Sequence, residues 1–388
     1  MSGVNVAVLG LGFGQDFLPI YQHHPLVGTV GIAEPNEALR DDVGDRHGIE
    51  HRAAGLDELL ADDLWDAVHI VAPVHFHAEF TKQVLRAGKH CACAVPMATE
   101  LDDLHEIVDL QRSAGKHYMM METSAYTREI LTARRMLDDG VLGEITRYRG
   151  FHVQNLDGYN DYWSGYPPMK YSTHALAPIL ALTGSSVTTV RALGSGHLLP
   201  EQQRGGFDNP FSSEVGLFSL DNSDAVAEIS MSFFRVARAY SEGFDLYGDE
   251  MSLEWPLELD GPFRGFRLDP IQPGERWRTA REEEVPTSDH RERLPESIRR
   301  FADHYDWQPA NGGPTERRLA EHGGSHPHLV HEFVSAITEG RPPAIDAVVG
   351  ARWTAPGIVA HQSALAGGEA LSVPEFADLT ADDRKRQP

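Results

Sequence analysis

Residues 6–17, VAVLGLGFGQDF, constrain the fold more than any other stretch of this chain. An apolar, β-type run ends in three glycines, Gly10, Gly12 and Gly14, each separated by one residue, and then passes into a helical stretch. Glycine permits the tight turn and leaves the turn's backbone open to close approach, the pattern that joins a first parallel strand to its crossover helix. The following hundred or so residues supply the rest of such a sheet. The runs TVGIAEP, DAVHIVAP, HCACAV and HYMMME read as strands, and amphipathic stretches separate them. One of these stretches has legible ends: Thr99 and Asp102 make a capping-box-like start, Leu101, Leu104, Ile107 and Val108 form a stripe, and Gly115 supplies the stop.

After Glu122 the texture changes. A helix around Ile130 to Asp138 closes at Gly140, and alternating strands follow, separated by turns such as Asp221-Asn222-Ser223. A chain of 388 residues exceeds what one core usually supports. The expectation is therefore an α/β protein with a doubly wound parallel domain over residues 1–124 and a second α/β domain over 125–388, built on a large, mostly antiparallel open sheet. Residues 281–327 read as an irregular excursion, with a last helical segment from His328 onward.

Composition bounds the partners. The formal net charge is −24, which disfavours nucleic acid and anionic membranes, since both demand cationic surfaces. No run is long and apolar enough for a membrane span, and no leader pattern stands at the start, so a cytoplasmic protein is expected. The two cysteines, Cys91 and Cys93, are one residue apart, too close for a relaxed disulfide, and alternation puts them on one face of a buried strand. They read as packing residues. His326, His328 and His331 lack a further clear ligand or a carboxylate pair, so no metal is expected.

The glycine turn becomes a dinucleotide site in context. Gln15 stands where the third glycine or an alanine is usual, but Glu34 closes the second strand where an acid would hydrogen-bond the adenosine ribose. An acid there repels a 2′-phosphate and favours NAD over NADP. Gly10, Gly12, Phe13, Gly14 and Glu34 are the first cofactor candidates.

The chain resembles the glucose-fructose oxidoreductase/inositol dehydrogenase/MocA (Gfo/Idh/MocA) family. The resemblance rests on this turn, Glu34, APVHFH with Pro73 and His77, AGKHCACAVPMA, MMMETSAYTRE with Tyr126 and Arg128, GVLGEI, YSTHALAPILALTG with His174, and GGSHPHLVHEF. They occur in family order along most of the chain, most weakly between about 255 and 320. The resemblance implies a Rossmann domain, NAD contacts that include Pro73, His77, Val95, Pro96 and Glu122, a carbohydrate or glycoside substrate, and a homo-oligomer formed through the C-terminal sheet.

One departure stands out. The family usually has Glu-Lys-Pro after this strand, with the lysine assisting proton transfer; here the residues are Ala94, Val95 and Pro96. Valine cannot move a proton, so another group must. Together with Tyr171-x-Thr173-His174, this pattern is similar to the NAD-dependent α-N-acetylgalactosaminidases of glycoside hydrolase family 109. That resemblance implies oxidation of a sugar 3-hydroxyl, removal of the C2 proton by Tyr171, and service of the 3-hydroxyl by His174, with Tyr126 in support. Lys170, beside Tyr171, would favour the phenolate. Asp157, Tyr159, Tyr162 and Trp163 form an aromatic-acidic segment suited to a sugar ring, and His326 is a further substrate-contact candidate. Three functions are open at this point: net oxidation of a sugar or glycoside, a redox-neutral glycosidase or lyase that recycles its NAD, and a catalytically silent NAD-binding regulator.

Overall fold

A computed structural model describes residues 3–256 and 261–376. The chain divides into two compact bodies. Residues up to Arg128 and Asp289–Ala351 form the first; Glu129–Ser288 and Arg352–Glu375 form the second. Residues 289–351, which the sequence reading places with the second domain, thus pack with the first. Nothing local in that segment announces the return, because it rests on contacts with strands laid down far earlier.

The first body is a six-stranded sheet of β1 (Val4–Leu9), β2 (Val27–Ala33), β3 (Arg52–Ala53), β4 (Ala67–Ile70), β5 (His90–Cys93) and β6 (Tyr118–Met120), in the order β3-β2-β1-β4-β5-β6. All its pairings are parallel. The strand order reverses between β1 and β4, the crevice where open parallel sheets bind ligands. Its strands are apolar on both faces because helices flank them: α1 (Leu18–His23), α2 (Glu37–His47), α3 (Leu56–Ala61), α4 (His77–Arg86) and α5 (Leu101–Ala114). The side chain of Asn36 caps α2 by accepting the Leu39 N–H, and Gly48 ends it in the left-handed conformation. At α5 the structure corrects the sequence reading: Glu100, not Thr99, is the N-cap, so the Thr99–Asp102 box does not form. Gly115 ends that helix with φ +61°.

Cys91 and Cys93 are fully buried in β5, and burial pushes the Cys93 thiol up to about 12. Both are inert core groups.

The second body begins with α6 (Arg128–Asp138) and carries a nine-stranded sheet. Its strands are β7 (Ile145–Gln154), β8 (Val187–His197), β9 (Phe211–Leu220), β10 (Val226–Ser232), β11 (Tyr240–Gly248), β12 (Ser252–Glu254), β13 (Phe263–Leu268) and β14 (Ala280–Val285), closed at one edge by a short strand at Leu371–Ser372. The order is β14-β13-β12-β11-β7-β10-β9-β8 and then that edge strand. Every pairing is antiparallel except β7 with β10. One sheet face is covered by α7 (Thr173–Thr183), which is buried along nearly its whole length. The other face is solvated, which gives β9 and β10 their alternating burial.

The segment read as irregular contains β14, several 3-10 turns, and a two-stranded ribbon of Tyr305–Trp307 with Glu316–Arg318. The following helix, α8, runs His326–Glu339, starting two residues before the expected His328. Pro327 in its first turn, where a missing N–H costs nothing, allows the earlier start. The last helix, α9, runs Ala347–Leu365. Among the described residues no helix is long and apolar enough to cross a membrane.

Candidate active site

In the first body the glycine turn leaves β1 at Gly10, whose φ is +92° and where a Cβ would lie 2.6 Å from the Val71 carbonyl oxygen. Only glycine meets both conditions without strain. At Gly14 a Cβ would sit 3.0 Å from Val8 Cγ1, whereas at Gly12 it would meet nothing within 4 Å. Gly12 therefore faces open space, as a position approached by a ligand must. The Glu34 carboxylate sits over this turn, accepting the Leu11 N–H at 3.2 Å and the Asn36 N–H at 3.0 Å. Gln15, in place of a third glycine, donates to the carbonyls of Gly12 and Leu11. The helical stretch after the turn is split into a 3-10 segment, Gly14–Phe17, and α1.

The Phe13 ring packs edge-on against Phe17, His322 and His326, and the His326 ring stacks on Phe17 at 4.4 Å. His326 is 6 % exposed, and burial holds it neutral, far below the ordinary histidine value. The structure thus places His326 inside the first body, packed against the residues of the glycine turn.

Pro73 precedes a 3-10 turn and then α4. The ring of His77 meets the Pro96 carbonyl oxygen through Nδ1 at 2.8 Å and the Ala72 carbonyl oxygen through Nε2 at 2.9 Å. Burial keeps the ring neutral, with one N–H to donate, and the ring sits between these two carbonyls, bridging the end of β4 and the end of β5. Val95 is buried and brings no polar atom to that strand end; its bond to Pro96 is cis. Glu122, wholly buried, accepts the Ser124 N–H and so begins the 3-10 turn Thr123–Tyr126. Tyr126 lies on that turn, its ring parallel to that of His328, and burial drives its hydroxyl well above the ordinary phenol value.

In the second body the site is made of side chains on regular elements. Tyr148, Gly150 and His152 face inward from β7. Gly150 lets α7 approach: a Cβ there would lie 2.0 Å from the Ala175 carbonyl oxygen, which accepts the Tyr148 hydroxyl at 2.6 Å. Helix and strand are thereby locked one residue from His174. Tyr171 ends the 3-10 turn Pro168–Tyr171, which also carries Lys170, and Ser172 holds the N-cap position of α7 without a side-chain cap. The Tyr171 and His174 ring centroids are 5.1 Å apart, so the pair expected from their spacing meets.

The sequence reading missed what surrounds that pair. The His152 ring, 2 % exposed, lies 6.0 Å from Tyr171 and 5.8 Å from His174, with Phe233 and Tyr240 each at 5.3 Å. Its Nδ1 is 3.6 Å from the Glu242 carboxylate, which also accepts the Tyr240 hydroxyl at 2.6 Å. Strand register makes this possible, because His152 is the β7 partner of Glu242 on β11. The one local signal is a histidine on the inward parity of β7.

The aromatic-acidic segment divides. Trp163 reaches Tyr171 edge-on at 5.4 Å, and Tyr162 lies against Trp163 at 5.5 Å. Asp157 accepts from Gln202 Nε2 at 2.7 Å, and the Tyr159 hydroxyl accepts from Gln154 Nε2 at 3.1 Å with its ring largely exposed. Two imidazoles, a phenol and a carboxylate in one aromatic-walled cluster are groups of the kind that can accept, hold and return protons. Among the described residues no set of histidine, cysteine and carboxylate side chains is arranged to hold a metal.

Residues 4–122 match the family described as "Oxidoreductase family, NAD-binding Rossmann fold". A glycosyl hydrolase family 109 protein of Streptomyces coelicolor is 26 % identical over 347 residues, spanning 82 % of this chain and 69 % of the relative. Another, from Saccharopolyspora erythraea, is 23 % identical over 410 residues, spanning 96 % and 83 %. Among solved structures, levoglucosan dehydrogenase with NADH and levoglucosan shares the fold at TM-score 0.76 and 21 % identity, over 96 % of this chain and all of that one (100 %). UDP-N-acetylglucosamine 3-dehydrogenase from Acidithiobacillus ferrooxidans does so at TM-score 0.67 and 18 % identity, over 94 % and 99 %. With its glycine turn and Glu34 suited to a dinucleotide, the chain matches the Gfo/Idh/MocA oxidoreductase family over residues 4–122, and over most of its length it is similar to glycosyl hydrolase family 109 proteins.

Proposed function

We propose that this enzyme acts on a sugar or glycoside by hydride transfer at a ring hydroxyl, that of C3, and that its net reaction is redox-neutral cleavage. The observation that carries the reading is the Tyr171–His174–His152 cluster in a chain that has Val95, not a lysine, just beyond β5. The residues suited to hold NAD are Gly10, Gly12, Gly14 and Glu34, with Phe13, Pro73, Val95, Pro96 and Glu122 shaping the surrounding strand ends and His77 fixing two of them. When bound, NAD⁺ supplies an acceptor for the C3 hydride and can return it.

The protein's own groups handle protons. His174 takes the proton of the 3-hydroxyl as the hydride leaves C3. The resulting ketone acidifies the neighbouring C2–H; Tyr171, as phenolate, removes that proton, and the C1–O bond breaks with its electron pair leaving on the aglycone. Water adds its oxygen to C1 and its released proton goes to the departing aglycone, Tyr171 returns its own proton to C2, and His174 reprotonates the C3 oxygen as the hydride returns. His152, backed by Glu242, is placed to share protons with both. Lys170 follows from the same reading as the cation that favours the phenolate. Trp163 and Tyr162 offer the stacking wall and Asp157 and Tyr159 its rim, while Tyr126 as a supporting residue and His326 as a substrate contact belong to the same reading. The names of two relatives, a family 109 glycosyl hydrolase and a 3-dehydrogenase of an N-acetylhexosamine nucleotide, support cleavage and C3 respectively.

The test begins with purified protein: denature it, assay the released NAD(H), and follow native protein with p-nitrophenyl glycosides and free sugars for aglycone release and nicotinamide absorbance. Stoichiometric NAD with aglycone release and no net NADH is the expected result. The second reading, a net dehydrogenase, is favoured by the fold shared with levoglucosan dehydrogenase. It requires net NADH from a free sugar. Neither activity across the panel, with NAD bound, would leave the regulator.

The solvated face of the nine-stranded sheet carries Leu193, Val215 and Leu217, all at least 44 % exposed, and strand register pairs Leu193 with Val215. This apolar centre supports a homo-oligomer formed through the sheet. Sedimentation of Leu217→Lys against the parent checks it: an unchanged mass removes this face from the interface.

A further inference from the structure

Strand β9 turns Ser212, Glu214, Gly216 and Phe218 toward the core. A carboxylate at such a position needs a reason, because a buried, unpaired one costs several kcal/mol. Glu214 is wholly buried and both its oxygens are engaged. Oε2 accepts the backbone N–H of Met169 at 2.8 Å, and Oε1 lies 2.8 Å from Nδ1 of His361 on α9, itself 5 % exposed. Met169 is in the 3-10 turn that ends in Tyr171. The same turn is gripped from α9: at Gly357 a Cβ would lie 2.3 Å from the Met169 carbonyl oxygen and 2.5 Å from Ser172 Oγ. The turn is therefore held by its N–H from the sheet and approached at its C=O by a helix that only glycine allows so close. All of these groups belong to the second body.

Packing alone does not call for this arrangement. Replacing a buried pair by apolar residues of similar size is often neutral or stabilising. Neither Glu214 nor His361 takes part in the proton steps described above. We propose that Glu214 and His361 are a positioning pair, whose buried bond fixes the turn Pro168–Tyr171 and so aims the Tyr171 phenol into the His152–His174 cluster. The proposal rests on the reading of Tyr171 as the C2 base. Its chemical consequence is steep, since a misplacement of about 1 Å can cost on the order of 10²-fold in rate.

The test is the double variant Glu214→Leu/His361→Phe in NAD-loaded protein, which keeps the volume apolar and removes both bonds. The expected result is a folded protein with parent NAD content, kcat lowered ten- to a hundredfold, and KM within about twofold. Independently of any substrate, the Tyr171 Cζ resonance of ¹³C-tyrosine protein, assigned by its loss in Tyr171→Phe, shifts or broadens. Parent kcat with an unmoved Tyr171 resonance overturns the proposal. Should the double variant not fold, His361→Phe alone is read the same way, with smaller changes expected and no change overturning the pair. If the parent proves inactive on every glycoside, the resonance still decides the positioning claim, so failure of the functional reading is seen separately.

Discussion

The two bodies build their candidate sites from different materials. In the first, the site is mostly backbone: a glycine turn that side chains would obstruct, strand ends, and one carboxylate holding that turn. In the second it is mostly side chain, with rings from β7, β11, α7 and a 3-10 turn set in one cluster. A backbone site is written locally, because the residues that permit it are consecutive. A side-chain cluster is written in register and packing, and its members are scattered.

The sharpest way to break this contrast is to damage each site and read the other's property. Tyr171→Phe and His174→Gln should each lower turnover by about 10²- to 10⁴-fold, the usual worth of a general acid or base, while NAD content stays at the parent level. Gly12→Val should do the reverse, losing NAD with little change in melting temperature, because that position faces open space. A Gly12→Val protein that still purifies with stoichiometric NAD would remove the turn from the cofactor site.

Acid should separate the bodies next. His24, His47 and His328, all in the first body, are held neutral by burial down to about 4, and His69 to about 3. Below the ordinary value of 6.5 the unfolded chain binds protons that these folded histidines refuse. Stability therefore falls as pH drops from about 6.5 toward 4, by roughly 1 kcal/mol per histidine at pH 5.5. Asp16 works the other way: burial and Glu321 raise it to about 6, so its protonation on folding offsets part of the loss between about 6 and 3.8. Hydrogen exchange at pH 5.5 against pH 7 should show first-body peptides losing protection; equal protection at both values contradicts the assignment.

Within the glycine turn the contrast can be sharpened by one methyl group. Gly10→Ala meets a positive φ and the Val71 carbonyl and should cost roughly 1–3 kcal/mol. Gly12→Ala should fall within about 0.5 kcal/mol of the parent. Denaturant midpoints measured without added NAD decide it, and equal losses would mean that the two glycines serve the same purpose. The smallest effect belongs to Lys170→Ala. If its ammonium favours the Tyr171 phenolate, the limb of the kcat profile governed by that base moves to higher pH by up to about one unit; an unmoved profile ends that role.

The same contrast explains what was legible in the sequence. The parallel sheet and five of its six strands were readable because those strands are short apolar runs punctuated by turns, whereas the two-residue β3 left no such run. Tyr171 and His174 were readable as a pair because they stand three residues apart at the start of a helix, and the 3-10 turn running into α7 keeps them together. His152 and Glu242 were not, since only the β7–β11 register makes them partners. Glu214 looked like one more polar residue in a strand, and its partners come from a distant turn and from the last helix. The α5 cap was misplaced by one residue, an ambiguity that local propensity does not resolve where Thr99 and Glu100 adjoin.

The place of β7 in its sheet has a consequence during synthesis. This strand sits between β10 and β11, both of which follow it in the chain, after β8 and β9 have been made. Emerging from the ribosome, β7 has neither hydrogen-bonding neighbour, and its aromatic inner face has no sheet to join. At about 5–20 residues per second, that exposure lasts for seconds. The strand that supplies His152 is thus among the first of the second body to be translated and stays without either neighbour until residues 226–248 follow, an exposure that favours aggregation at the element on which its chemistry depends.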